Sequence, residues 1–164
     1  MSFAARLKSD YAYLTGALRT LKRTTPIGKN PTRTIRDLIE TQAEAFADRV
    51  ALISDRETFT YRQFNERANR YARWFRSIGL GKGDTIALVM PNRPEYLAIW
   101  IGVAKAGGVT ALINTNLTGP SLAHCISVVE AKAVIVDAAL SATFATAQRM
   151  LAPDIRIFGH GECG

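Results

Sequence analysis

Reactive side chains are scarce in this chain. Its 164 residues include two cysteines and two histidines. Cys125 and Cys163 make neither a disulfide framework nor a metal-ligand cluster, so a reducing, cytoplasmic compartment is the simpler setting. His124 adjoins Cys125, but neighbouring helix residues point about 100° apart and do not face each other, which argues against a nucleophile–base pair. His160, Glu162 and Cys163 are too few for a metal site and fall on a terminus expected to fray. A phosphate loop is also missing. Gly79-Leu80-Gly81-Lys82-Gly83 follows a helical pattern and opens a strand, whereas a dinucleotide loop follows a strand and opens a helix. These glycines read as a helix stop. Long apolar runs are absent too. The longest stretch without a formal charge, 106–129, contains Asn114, Asn116, Pro120 and His124, which would be costly in hydrocarbon and argue against a membrane-spanning helix.

What is present is unevenly charged. Residues 1–36 hold eight basic side chains and a single acid, Asp10, which accounts for the whole formal charge of +7. The remainder is balanced, so a nucleic-acid-binding body is not expected. The leader suits an anionic surface. Within it Phe3, Leu7, Tyr11, Leu14, Leu18 and Leu21 recur at steps of four and three and share one helical face. Phe3, Leu7, Leu14 and Leu18, with Arg19, Lys22 and Arg23, are the expected membrane contacts of a helix lying on anionic lipid. Pro26, Gly28 and Pro31 then break the chain, so 1–31 is expected to be a leader and linker and 32–164 a separate domain.

From Thr34 the pattern alternates. A helix with Ile35, Leu38, Ile39 and Phe46 inward precedes a strand at 50–54, a turn at Asp55-Arg56-Glu57 and a returning strand at 58–61. Thr60 and Gln63 fit a capping box for the next helix, which buries Phe64, Ala68, Tyr71, Phe75 and Ile78 and stops at Gly79. Strands at 85–90, 109–113, 133–137 and 155–158 then alternate with helices at 94–106, 120–130 and 140–151. Such alternation over short loops implies an α/β, doubly wound, mostly parallel sheet with helices on both faces, preceded here by the amphipathic helix. The sequence stops just after a strand, where such a sheet would ordinarily run on, so an incomplete, N-terminal part of a larger fold is expected.

Two turns sit where chemistry could occur. Asn114, Thr115 and Asn116 follow the carboxyl end of a strand, the place where open α/β sheets present ligands, and are candidate substrate-lining residues. Equally, Asn and Thr there can simply build a turn. Pro91-Asn92-Arg93-Pro94 is a rigid strand-to-helix turn in which Asn92 can satisfy free helix-end amides and Glu95 suits the positive helix end. The cluster Tyr96, Ile99 and Trp100 is expected to pack in the core.

The segments ADRVALIS (47–54) and FTYRQFNERANRYARWFRSIGLGKGDTIALVMPNRPEYLAIWIGVAKAGG (59–108) resemble the start of the adenylate-forming acyl-CoA synthetase (AMP-binding) superfamily. INTNLTGPSLAHCI (113–126) is similar to its fatty-acid transport protein / very-long-chain acyl-CoA synthetase branch, although Thr118 stands where that branch often has a basic residue. The resemblance implies a partial N-terminal subdomain of an AMP-dependent ligase whose full-length relatives use a fatty acid, ATP, Mg²⁺ and CoA to make acyl-CoA, AMP and pyrophosphate. It implies phosphate-loop, ribose-binding and lysine motifs in later parts of such proteins. None falls within 1–164, so no catalytic, cofactor-binding or metal-binding residue is assigned, and the chain alone is expected to be inactive, with the rest of the same fold as its partner. A non-catalytic membrane-surface adaptor, peripheral at the membrane, is the alternative. A stand-alone nucleotide-binding module is disfavoured, because the turn after the first strand, Asp55-Arg56-Glu57, is acidic and lacks glycine.

Overall fold

The computed structural model describes residues 3–25 and 34–161, with the side chains of 3–5 left aside. The expected linker breakers Pro26, Gly28 and Pro31 lie outside the described residues, as do Glu162 and Cys163. The chain divides into two compact units, Met1–Thr34 and Ile35–Gly164.

The first unit contains helix α1 (Phe3–Thr24), with Lys22 and Arg23 in its last turn, where cations complement the carbonyl end of the helix. Leu7, Tyr11, Leu14, Leu18 and Leu21 along it are exposed.

The second unit opens with α2 (Ile35–Ala45), followed by an antiparallel hairpin of β1 (Val50–Ile53) and β2 (Thr58–Thr60) and then α3 (Tyr61–Ser77). The hairpin turn is closed by Ser54, whose hydroxyl oxygen accepts from the Glu57 amide at 3.1 Å. Thr60 and Gln63 form the expected capping box at the start of α3. At its other end Gly79 takes a φ of +77°, a left-handed conformation that glycine adopts without strain and that turns the chain toward the sheet.

The main sheet contains β3 (Thr85–Val89), β4 (Val109–Leu112), β5 (Ala133–Asp137) and β6 (Arg156–His160), in the order β4-β3-β5-β6 and parallel throughout. Helix α4 (Pro94–Lys105) links β3 to β4, α5 (Gly119–Val128) links β4 to β5, and a 3₁₀ turn (Ala138–Leu140) with α6 (Ser141–Gln148) links β5 to β6. The expected doubly wound layers are present. Ile86, Leu88, Ala133 and Ile135 pack with Phe75, Ile99 and Val103 on the α3/α4 side. Ala87, Val89, Val134 and Val136 pack with Leu122, Ile126 and Phe144 on the α5/α6 side. Alternate residues of the central strands therefore enter opposite apolar layers, as a sheet covered on both faces requires.

Three sequence expectations are corrected. The last strand continues past Phe158, because Gly159 and His160 extend the ladder opposite Val136 and Asp137. In α2, Ile35 and Leu38 are exposed, as is Phe46 just beyond it; of the residues expected inward Ile39 packs against the core, and the helix is seated by it and by Ala43. Trp100 is 40% exposed, while its neighbours Ile99 and Ile101 are buried, so it stands on the outer face of α4.

Candidate functional site at the carboxyl ends of the strands

The chain leaves β3 toward β4 on one side and β5 toward β6 on the other, so the winding direction reverses between β3 and β5. Open α/β sheets carry their ligand crevices at the carboxyl ends of strands at such a reversal. Arg93, at the end of the turn from β3 to α4, and Asp137, the last residue of β5, meet there.

Arg93 is the N-cap of α4 but its side chain makes no cap hydrogen bond. Its Nη2 donates to Asp137 Oδ2 at 2.7 Å and to His160 Nδ1 at 3.0 Å. Asp137 is buried, and its second carboxylate oxygen accepts from the Ala139 amide at 3.0 Å, which starts the 3₁₀ turn. His160 lies beside Asp137 in the β5–β6 register. Its Nε2 is 3.0 Å from the Tyr71 hydroxyl, which donates in turn to Glu95 Oε1. Arg67 Nη1 also reaches Glu95 Oε1, at 3.2 Å.

Glu95 is 2% exposed. Its backbone amide donates to Glu57 Oε1 at 3.2 Å, so the hairpin turn supplies an acceptor at the start of α4 where the sequence pointed to Asn92. Burial pushes the Glu95 carboxyl up. Contacts with His160 and Tyr71 and the Arg67 guanidinium outweigh it and hold the group below the usual carboxylate range. The Tyr71 hydroxyl is raised well above its ordinary value by burial first, then by its bond to Glu95. Tyr71 thus keeps its proton and donates the hydrogen bond, and Glu95 stays ionised and accepts it.

Beside this network opens a cleft of about 360 Å³ lined by Arg67, Arg70, Tyr71, Trp74, Phe158 and His160, among others. Trp74 and Phe158 meet edge to face in its wall, 5.0 Å between ring centres. The arrangement joins two arginines, two carboxylates, a phenol and an imidazole from the inner face of α3, the start of α4 and the carboxyl ends of β5 and β6.

The fit to a nucleotide phosphate is poor. Gly119, the first residue of α5, has its amide bonded to Thr146 Oγ1 at 2.8 Å, and Pro120 offers none. Among the described residues no group of three or more His, Cys, Asp or Glu could hold a metal ion.

The residues singled out from sequence lie elsewhere. Asn114, Thr115 and Asn116 follow β4 on the same carboxyl edge of the sheet. Asn114 Oδ1 accepts from the Asn116 amide at 3.0 Å, a local turn built by the side chain. Among the described residues none of the three is bonded to the Arg93–His160 set. In the first unit Leu7, Leu14, Leu18, Arg19, Lys22 and Arg23 are exposed; the Phe3 side chain is outside the described atoms. Sequence reading missed Arg93, Asp137 and His160 as a group, although each is a polar residue at or just past the carboxyl end of an apolar strand.

Residues 39–157 match the family described as AMP-binding enzyme. Over 133 residues the chain is 34% identical to long-chain fatty acid transport protein 1 of Mus musculus, covering 80% of this chain and 21% of that protein. It therefore spans about a fifth of the length of this relative. The fold is similar to the N-terminal domain of FACL13 from Mycobacterium tuberculosis, with TM-score 0.72, 29% identity and 78% of this chain covered against 34% of that one. It is likewise similar to a benzoate CoA ligase from Burkholderia xenovorans LB400, with TM-score 0.73, 26% identity, and coverage of 79% and 26%. By its sequence over 39–157, the chain belongs to the AMP-binding enzyme family, the adenylate-forming acyl-CoA ligases whose N-terminal layers it reproduces.

Proposed function

We propose that this chain is N-terminal scaffold for an AMP-forming ligase that activates long- or very-long-chain fatty acids with ATP and Mg²⁺ and transfers them to CoA. The observation that carries the reading is the family match across 39–157, joined to the similarity with a long-chain fatty acid transport protein. Asn114, Thr115 and Asn116, at the carboxyl end of β4, are proposed to face the substrate side. In isolation the chain does not make acyl-adenylate. Attack of a carboxylate on an ATP phosphorus brings negative charges together, and needs a metal, lysines or an amide cradle at the phosphates. Lys105 is committed elsewhere, with its ammonium group bonded to Glu40, Asn65 and Asn69. Lys132 pairs with Asp84 at the amino end of the sheet, away from the strand ends that bind ligands.

Fatty-acid-dependent exchange of pyrophosphate into ATP tests this. The purified chain is expected to give background exchange only. Exchange by the chain alone, lost on substituting a residue within it, would reveal a complete site and overturn the scaffold reading.

A second reading is supported by α1. Its exposed Leu7, Leu14, Leu18 and Leu21, with Arg19, Lys22 and Arg23, suit a helix resting on an anionic cytoplasmic membrane face. Each basic residue close to such a surface contributes about 1 kcal/mol. The full chain is expected to co-sediment with phosphatidylserine-containing vesicles, and a chain starting at Thr32 to stay in solution. Equal binding by both would remove α1 from the contact.

A further inference from the structure

We propose that His160 is a proton-operated clamp on the carboxyl end of β6: neutral, it accepts a hydrogen bond from Arg93, and on protonation it gives up that bond and turns to the neighbouring carboxylates.

The hydrogen-bond inventory fixes the neutral form. A guanidinium only donates, so the Nδ1 atom 3.0 Å from Arg93 Nη2 must present its lone pair. The proton of the neutral ring then sits on Nε2 and is donated to the Tyr71 oxygen 3.0 Å away. Tyr71 can accept it because its own proton goes to Glu95. Each link sets the direction of the next, from Arg93 through His160 and Tyr71 to Glu95.

The groups around the ring leave no hydrogen-bond acceptor at Nδ1 for a second ring proton in this geometry. From α3 come Arg67 and the neutral Tyr71, from the turn and start of α4 Arg93 and Glu95, and from β5 Asp137. Glu57 in the hairpin turn binds the Glu95 amide, and Arg70 lines the same cleft. Arg67 pairs with Glu95 at 3.2 Å, and Arg93 with Asp137 at 2.7 Å. With the imidazole neutral, these two pairs balance. A second ring proton would place Nδ1–H against the Arg93 donor. Two acceptors wait at slightly longer range: Asp137 Oδ2, 4.0 Å from Nδ1, and Glu95 Oε1, 3.7 Å from Nε2. The protonated ring therefore competes with Arg93 for Asp137, and one of the two cations must move.

The consequence falls on the sheet edge. Among the described residues β6 pairs with β5 and no other strand, and His160 is its last residue. Arg93 and Tyr71 tie that end to the start of α4 and to α3. Protonation loosens the tie and frees the Arg93 guanidinium at the point where the winding of the sheet reverses. An acidic shift would thus open the strand end and expose a cation there in one event.

The 164-residue chain with ¹⁵N-labelled imidazoles tests this directly. At about pH 7.5 His160 is expected as the Nε2–H tautomer, and the comparison is with the doubly protonated ring reached by lowering the pH toward about 5. Over the same range, exchange protection of the β6 amides bonded to β5 should fall about tenfold relative to those of β3, which removes the intrinsic pH effect. His160→Asn keeps an acceptor near the Nδ1 position and has no titrating group. In that variant the β6-to-β3 ratio should not change with pH. An Nδ1–H tautomer in the neutral wild-type chain overturns the proposal, and that measurement needs no variant to fold. A ratio unchanged with pH in the wild type, or changing equally in both proteins, overturns it as well.

Discussion

Gly102→Ala is expected to destabilise the body of the protein by about 3 kcal/mol, at the upper end of overpacking costs. Gly102 lies in the middle of α4, where α3 crosses it. A Cβ there would stand 2.5 Å from Tyr71 Cβ and 2.6 Å from the Ala68 carbonyl oxygen. Neither atom is the tip of a flexible side chain. Both belong to the inner face of α3, where Ala68 is fully buried, so relief requires the two helices to separate. That movement would open the layer formed by Phe75, Ile99 and Val103 against the sheet and pull Tyr71 away from Glu95. Intrinsic helix propensity works the other way, since alanine in place of glycine in an open helix gains about 1 kcal/mol. Gly16 in α1 isolates that gain, because nothing stands within 4 Å of a Cβ there. Urea unfolding of the body should therefore show a large loss for Gly102→Ala, while Gly16→Ala raises the helicity of α1 with no such loss. A Gly102→Ala protein as stable as wild type would mean that the α3–α4 contact is looser than described.

That close crossing shows what the sequence can and cannot reveal. Strand and helix identities were legible because their signals are local. β3 and β5 are short apolar runs between turn residues, Thr60 and Gln63 mark the start of α3, and Gly79 marks its end. The parallel, two-faced sheet followed from the alternation itself. Gly102 carried no such signal, because its importance depends on a helix some thirty residues earlier. The outward side of α4 was misread for the same reason. Most of that helix is apolar, so periodicity alone could not show which face lies away from the sheet, and Trp100 is on the open one. β6 was read two residues short because Gly159 and His160 do not look like strand residues. They are held there by backbone pairing with Val136 and Asp137, to which side-chain pattern is blind.

The candidate site was less legible than the fold. Its members come from α3, α4 and the ends of three strands, with Tyr71 and His160 separated by 89 positions. No spacing rule links them. Each had an ordinary local explanation: Glu95 as a helix-dipole residue, Arg93 as part of a turn, His160 as part of a frayed end. Asn114–Asn116 drew notice because its residues are polar and consecutive, and the Asn114 side chain forms the turn that short amides favour. A better signal was available in the polar residues at and shortly after the carboxyl ends of the strands taken together, since the topology places all of these on one edge.

Lys105 gives a second large effect. Read from sequence it is a lysine at a helix end, where cations are usually solvated and complement the helix dipole. Here its side chain is 3% exposed, and the ammonium group donates to Glu40 at 2.8 Å, Asn65 at 2.6 Å and Asn69 at 2.8 Å. All three donors are used, which is what makes a buried ammonium tolerable. The three acceptors come from α2 and α3, so one cation joins α4 to both helices. Lys105→Met keeps the aliphatic stem but removes the charge and leaves two amide oxygens without their donor. Breaking a buried ion pair from one side costs about 3–5 kcal/mol. The carboxylate of Glu40 is 45% exposed and can return to water, which brings the expected loss to about 2–3 kcal/mol. Glu40→Gln should cost only about 1 kcal/mol, because the ammonium then keeps Asn65, Asn69 and a neutral oxygen. The asymmetry is the informative result. Denaturant unfolding of both variants should place Lys105→Met at least about twice as far from wild type as Glu40→Gln. Equal losses would mean that the Lys105–Glu40 pair, rather than the three-acceptor socket, carries the stabilisation. A Lys105→Met protein as stable as wild type would mean that the socket contributes nothing and that α2 is held on α3 by Ala43 and Ile39 alone.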